Sequence, residues 1–201
     1  MELYKKNLNK LIQGKVYNPN QEHDACGVGF VASTDGIKSR RVVEFGIDAL
    51  KAVWHRGAVD ADGKTGDGAG IHIEIPTNFF IERIQNAGRS HKEGIICIGM
   101  IFLPRNDYPS QEKCKTIVEN ELLNKNYYVY RWRQVPVNTK VLGVKAESNR
   151  PEIVQVIFKS NNPKLKGDDL ERDLFVIRKK IEKPANLSKL KDFYICSFSS
   201  R

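Results

Sequence analysis

The stretch QEHDACGVGFVA, residues 21–32, places a cysteine where a polar segment meets the first run of small and apolar residues. Three chemistries are open to Cys26. With His23 and His55 it offers thiolate and imidazole ligands to a metal, but no second pair follows at a matching distance, as zinc sites usually require. As a core residue it is a small hydrophobe with an inert thiol. As a nucleophile it has Gly27 and Gly29 beside it, whose missing side chains leave room for close backbone approach. The spacing of Gly27, Gly29 and Ala32 also matches a dinucleotide-binding turn. That turn must follow a strand and open a helix, whereas a charged run precedes this one. A second stretch, HRGAVDADGKTGDGAGI at 55–71, is rich in glycine and aspartate. Its GDGAG part lacks the lysine and hydroxyl of a phosphate-binding P-loop, so a tight loop is expected, with Asp67 holding turn amides through its carboxylate.

The elements around these residues follow from periodicity. GFVAST reads as a strand entering the core, and AGIHIEI alternates as a half-buried strand with Ile71, Ile73 and Ile75 on one face. Ser39 can cap a helix whose stripe is Val42, Phe45, Ala49, Leu50 and Val53, ending at Gly57. Thr77 opens a short helix closed by Gly88, and Ser110 can cap a helix with Cys114, Ile117, Val118 and Leu122 inward. GIICIGMIFLP is apolar throughout, as in a strand covered on both faces. NYYVYRWR, PEIVQVIFKS and DFYICSFSSR read as further strands, and GDDLERDLFVIRKKIEK as a helix with Leu170, Leu174, Ile177 and Ile181 inward. Cys97, Cys114 and Cys196 are expected in the core, and Trp54 and Trp132 as packing residues.

The chain has 201 residues, 40% of them hydrophobic, enough for one domain or part of a larger one. Its net charge of +9 invites a nucleic-acid or membrane-surface reading. The basic residues are mixed with acids, however, and the densest run, RKKIEK at 178–183, falls late on a helix, where a solvated face suits it. No window approaches a membrane span, and the first residues lack the apolar core of a secretory signal. Unpaired cysteine spacing points to reduced thiols and a cytoplasmic setting.

DACGVGFVA at 24–32 and HRGAVDADGKTGDGAGI at 55–71 together resemble class II glutamine amidotransferase domains, specifically those of the glutamate synthase large-subunit family. WRQVPVN at 132–138, RPEIVQVIF at 150–158, ERDLFVIRKKIE at 171–182 and FYICSFSSR at 193–201 are similar in the same order. The resemblance implies an α+β fold of the N-terminal nucleophile hydrolase type, a four-layer αββα sandwich with mostly antiparallel sheets, incomplete here. It implies that residues 1–25 are a leader and 26–201 the N-terminal part of a type 2 amidotransferase domain. Cys26 would be the catalytic nucleophile once the leader is removed. Gly27 and Arg56 would support it, Arg56 near the site entrance or simply as a loop anchor at a helix end. The implied reaction is hydrolysis of the L-glutamine side-chain amide, with ammonia passed on to 2-oxoglutarate to form glutamate. In the whole family enzyme, FMN and an iron–sulfur cluster take part, and a small electron-transfer subunit is a possible partner. No cofactor or metal is expected in this segment, nor a membrane or nucleic-acid partner. The family's oxyanion-hole and glutamine-gripping residues are expected beyond Arg201, so the segment alone is expected to be inactive. The rival reading is a non-catalytic basic binding module that keeps an amidotransferase-like shell.

Overall fold

The computed structural model describes residues 2–14, 27–54, 57–66, 68–188, 190 and 192–201. The chain divides into two compact units, Met1–Val59 with Gly66–Ile71, and Asp60–Thr65 with His72–Arg201.

The first unit holds helix α1 (Glu2–Gln13) and helix α2 (Arg40–Ala52). α1 lies within the polar segment expected to be a leader. α2 forms where its apolar stripe requires, with Ser39 at the N-cap position but no side-chain capping bond. None of its residues is fully buried, and Phe45 is largely exposed. Two expected strands are absent. Residues 27–33 take no regular structure, and Val28 and Phe30 are each 90% exposed. Residues 68–76 are likewise irregular. Their period-2 alternation is real, but a strand needs a neighbour to satisfy its backbone groups, and none pairs with either segment among the described residues. Ile71 instead rests on α2, its Cδ1 3.1 Å from where a Cβ on Gly46 would stand.

The second unit is built on a four-stranded sheet in the order β2-β3-β1-β4. The strands are β1 (Ile96–Leu103), β2 (Tyr127–Gln134), β3 (Glu152–Ser160) and β4 (Tyr194–Ser199), all paired antiparallel. Connections run through α4 (Tyr108–Asn124) between β1 and β2, α5 (Val144–Asn149) between β2 and β3, and α6 (Gly167–Leu187) between β3 and β4. The expected apolar strand is β1, an inner strand buried fully on one face and, at Met100 and Phe102, only half-buried on the other.

Two cores flank the sheet. On one face α4 and α6 pack Cys114, Val118, Leu122, Leu170, Leu174, Ile177 and Ile181 against Cys97, Ile101, Leu103, Val154, Val156 and Phe158. Each such fully buried aliphatic side chain contributes about 1.5–3 kcal/mol. On the other face α3 (Thr77–Gln85) sets Phe80 and Ile84 against Ile96, Ile98, Tyr130 and Ile157. The ends of several elements differ from expectation. Asp107, not Ser110, caps α4: its carboxylate accepts the Ser110 amide at 3.1 Å, and Pro109 occupies the first turn. α6 continues past Pro184 because the next turn still buries Ala185. Its basic run is partly neutralised on the helix surface, where Arg178 and Lys179 pair with Glu182 at 2.8 and 2.7 Å.

Cys97 and Cys114 are core residues as expected, with no exposure. Cys196 is not; it is exposed. The pairing of β1 with β4 slips between Met100 and Ile101, whose partners are Ser197 and Ile195, so Cys196 is the extra residue of a bulge. The alternation that would have turned it inward is broken there. Trp132 packs against the main core, but Trp54 is 75% exposed and is not a packing residue.

Candidate active site

Of the residues singled out for chemistry, Cys26, Arg56, His23, His55 and Asp67 lie outside the described residues. Gly27 is exposed and in no helix or strand, and a Cβ at Gly29 would meet no described atom within 4 Å. Packing among the described residues therefore does not demand glycine at position 29.

The other described cysteines are poor rivals as nucleophiles. Burial, and secondarily the Glu171 charge, pushes the Cys97 thiol far above the ordinary range. Burial, then the Asp107 charge, raises Cys114 to about 11. A thiol so raised holds negligible thiolate near neutrality, and the thiolate is the reactive form. Among the described residues no three His, Cys, Asp or Glu side chains gather to hold a metal.

The segment after Arg56 is described in detail, and it is more than a flexible loop. A backbone bridge joins Val59 and Gly66. Inside it, the Asp60 amide donates to the Thr65 carbonyl at 2.7 Å. The tip turns through Gly63, at φ +67°, with its amide on the Asp60 carbonyl at 2.9 Å. Asp62 organises the tip: one carboxylate oxygen accepts the Lys64 and Thr65 amides at 2.9 and 2.7 Å, and the other accepts the Thr65 hydroxyl at 2.6 Å. These bonds hold the Asp62 carboxyl far below the usual carboxylate range, the Thr65 hydroxyl first among them. Asp62 is thus a turn-holding aspartate; Asp67, expected to hold turn amides in the same way, lies outside the described residues.

The tip is fastened to α5. Lys145 pairs with Asp60 at 2.5 Å, and the Ala146 amide reaches the Thr65 hydroxyl at 3.4 Å. α5 is itself braced: Arg105 pairs with Glu147 at 2.7 Å and donates to its carbonyl at 2.9 Å, while Arg150 holds the other carboxylate oxygen at 3.1 Å. Neither Asp62 nor Gly143 was anticipated: a Cβ at position 143 would collide with the Asp62 carboxylate and, at 2.6 Å, the Thr65 backbone nitrogen. Their partnership spans 81 positions, and only the uncapped short helix after Gly143 hints at it in sequence.

The chain matches the family model described as "Glutamine amidotransferases class-II" over residues 26–201. It is 50% identical over 198 residues to the "Glutamate synthase [NADPH] large chain" of Azospirillum brasilense, an alignment covering 98% of this chain and 13% of that protein. It is 40% identical over 183 residues to the "Ferredoxin-dependent glutamate synthase" of Pyropia yezoensis, covering 89% of this chain and 12% of that one. A chloroplastic/mitochondrial ferredoxin-dependent glutamate synthase of Arabidopsis thaliana is 38% identical over 182 residues, covering 90% of this chain and 11% of that one. The chain therefore spans about an eighth of the length of the curated relatives it matches. With the family model matched along most of its length, the chain belongs to the class II glutamine amidotransferases.

Proposed function

We propose that this chain is the N-terminal part of the amidotransferase domain of a glutamate synthase, with Cys26 as its nucleophile. The observation that carries the reading is the family match, which starts at Cys26 and continues to Arg201. Removal of Met1–Ala25 would make Cys26 the first residue and free its α-amino group. An α-amine titrates near ~7.7–8.0 and a thiol near ~8.5, so the amine is matched to take the thiol proton. The thiolate then attacks the side-chain carbonyl carbon of glutamine. Collapse of the tetrahedral intermediate expels ammonia, with the proton returned to the leaving nitrogen, and leaves a glutamyl thioester. Water hydrolyses the thioester, releasing glutamate and regenerating the thiol.

Gly27 and Arg56 are assigned supporting roles beside the nucleophile. The oxyanion-hole donors and the groups that grip glutamine are assigned to the chain beyond Arg201, so these 201 residues alone would not turn over. Such donors typically contribute about 2.7–4 kcal/mol to the barrier. In the four-layer sandwich, a second sheet would stack on the face of β1–β4 that carries Met100, Phe102 and Ile153. These side chains are only half-buried, and neighbouring Tyr194 is 56% exposed, which supports a further layer there. No helix of the described residues is long and apolar enough to cross a membrane, and a cytoplasmic location is proposed.

Ammonia transfer to 2-oxoglutarate, and exchange with an electron donor or small electron-transfer subunit, would belong to the whole protein. FMN and an iron–sulfur cluster would supply its reductive chemistry. The described residues do not fit such a cluster: Cys97 and Cys114 are enclosed in the core and Cys196 stands alone on a bulge.

The test is glutaminase activity of the full-length enzyme with and without Cys26→Ala. Loss of glutamate release from glutamine, with ammonia-dependent synthesis retained, supports the reading; full activity in the variant overturns it.

A further inference from the structure

Two guanidiniums stand against Phe79 of α3: the Arg83 Cζ lies 4.8 Å from its ring centre and the Arg133 Cζ 5.2 Å. A third arginine is tied to the same helix, the Arg131 Nη1 donating to the Arg83 carbonyl at 3.0 Å. The Arg131 Nε donates to the Trp132 carbonyl at 3.3 Å, and the Arg133 Nη1 to Oε1 of buried Gln155 at 2.7 Å. Neutral acceptors therefore fix two of the three forks, and each fork, with five N–H donors, has donors left over. Among the described residues, the one carboxylate within ion-pair reach of the three is Glu82, 3.8 Å from Arg83. Burial first, then the charges of Arg83 and Arg131, hold Arg133 below its ordinary pKa. The Arg83 Nε is enclosed and has no acceptor among the described residues. Phe79 gives its two cations a π face but no countercharge. A buried donor without a partner points to an ion or water at that place.

We infer that Arg83, Arg131 and Arg133 form a binding site for a phosphate dianion, free or as a phosphomonoester. Three arginines less Glu82 leave two positive charges in the cluster. A phosphate group near neutrality carries about −1.5 to −2, which matches that excess where a single carboxylate does not. Guanidinium forks also meet phosphate oxygens in pairs, with charge-assisted bonds. The Arg83 side chain is 40% exposed, so the ligand has a way in from solvent. Arg83 lies in the last turn of α3, where the helix dipole favours a cation. That effect acts on Arg83 alone and leaves the gathering of Arg131 and Arg133 beside it unexplained. The site lies outside the reaction proposed above and does not depend on it.

The experiment follows phenylglyoxal modification of individual arginines in the full-length protein, mapped by peptide mass spectrometry. It is run in sodium chloride, in inorganic phosphate and in glycerol phosphate at equal ionic strength. Arg172, exposed and paired with Asp169 on α6, is the reference. With the anion at about nine times its Kd, only about a tenth of sites stay empty, so Arg83 and Arg133 should react about tenfold more slowly. Arg172 should change by less than about twofold, because screening is the same in all three salts. Arg133→Gln should cut the protection of Arg83 to below about twofold, since its charge-assisted bonds to the anion are lost. Arg172→Gln should leave that protection intact. Stronger protection by glycerol phosphate than by inorganic phosphate assigns a phosphomonoester, and the reverse assigns the free ion. Modification of Arg83 and Arg133 that neither anion slows, or slows no more than at Arg172, overturns the inference. So does an Arg83 about tenfold slower than Arg172 in chloride and indifferent to both anions, because the protein's own chain would then fill the cluster. None of these outcomes bears on Cys26, so the proposed function stands or falls separately.

Discussion

The His91 imidazole meets the Tyr130 hydroxyl at 2.7 Å through Nδ1, their rings set edge to face at 5.6 Å. Burial first, and the Lys159 charge second, hold His91 below its ordinary value near 6.5. Burial, then Tyr128, raises Tyr130. The tyrosine therefore keeps its proton beside a neutral imidazole.

This pair gives the fold a pH dependence of defined sign. Because the folded pKa of His91 is depressed, the unfolded chain binds a proton first as pH falls. The contribution is fully present above about 6.5 and is lost below it. Urea midpoints of the unsubstituted chain should fall between pH 7 and 5 more steeply than those of His91→Gln. Parallel curves would show that the imidazole is not sheltered in this way.

Gly99 in β1 lies beneath Phe198 and Val156, and a Cβ there would come within 2.7 Å of both side chains. Phe198 is stacked on Phe158 at 4.8 Å, so it has little freedom to retreat. Gly99→Ala is expected to destabilise the chain by about 1–3 kcal/mol, the usual range for overpacking. Denaturant titration checks the value, and a neutral substitution would mean the cluster is looser than described.

Gln111 is a polar side chain buried against α4's own entry loop. Its amide donates to the Pro104 carbonyl at 2.7 Å and the Arg105 carbonyl at 3.1 Å. Gln111→Leu strands both carbonyls, and the loss should be about 1–3 kcal/mol, the penalty of unsatisfied buried acceptors. Equilibrium unfolding would reveal it.

Among the described cysteines, thiol reagents should distinguish two environments. At pH 8 in the native chain, Cys196 is expected to react within minutes, while Cys97 and Cys114 react only as fast as the core opens. Peptide mapping after alkylation reads the order directly. Early labelling of Cys97 would contradict the core.

Legibility in the sequence followed how local each cause was. α6 declares itself through periodicity and β1 through an unbroken apolar run, because each buries its own side chains. The cap of α4 was legible but misassigned: Pro109 marks a first helical turn, which places the cap at Asp107 rather than Ser110. Cys196 was not legible, since its exposure arises from a bulge in pairing with β1, a matter of register between distant segments. GFVAST and AGIHIEI carry strand patterns without strand partners among the described residues, so pattern alone misled. For the site, Cys26 stood out by its neighbours and the HRG stretch by its composition. The clasp of Asp62 on α5 did not, because the glycine that permits it lies 81 residues away.

The most direct test of the central claim is to treat the full-length enzyme with a glutamine-like electrophile, then sequence its N-terminus and map the label. The account predicts a mature chain beginning at Cys26, with label on Cys26 and loss of glutaminase activity in proportion. Label on Cys97, Cys114 or Cys196 with Cys26 unmodified would contradict it, as would active enzyme that still carries Met1–Ala25.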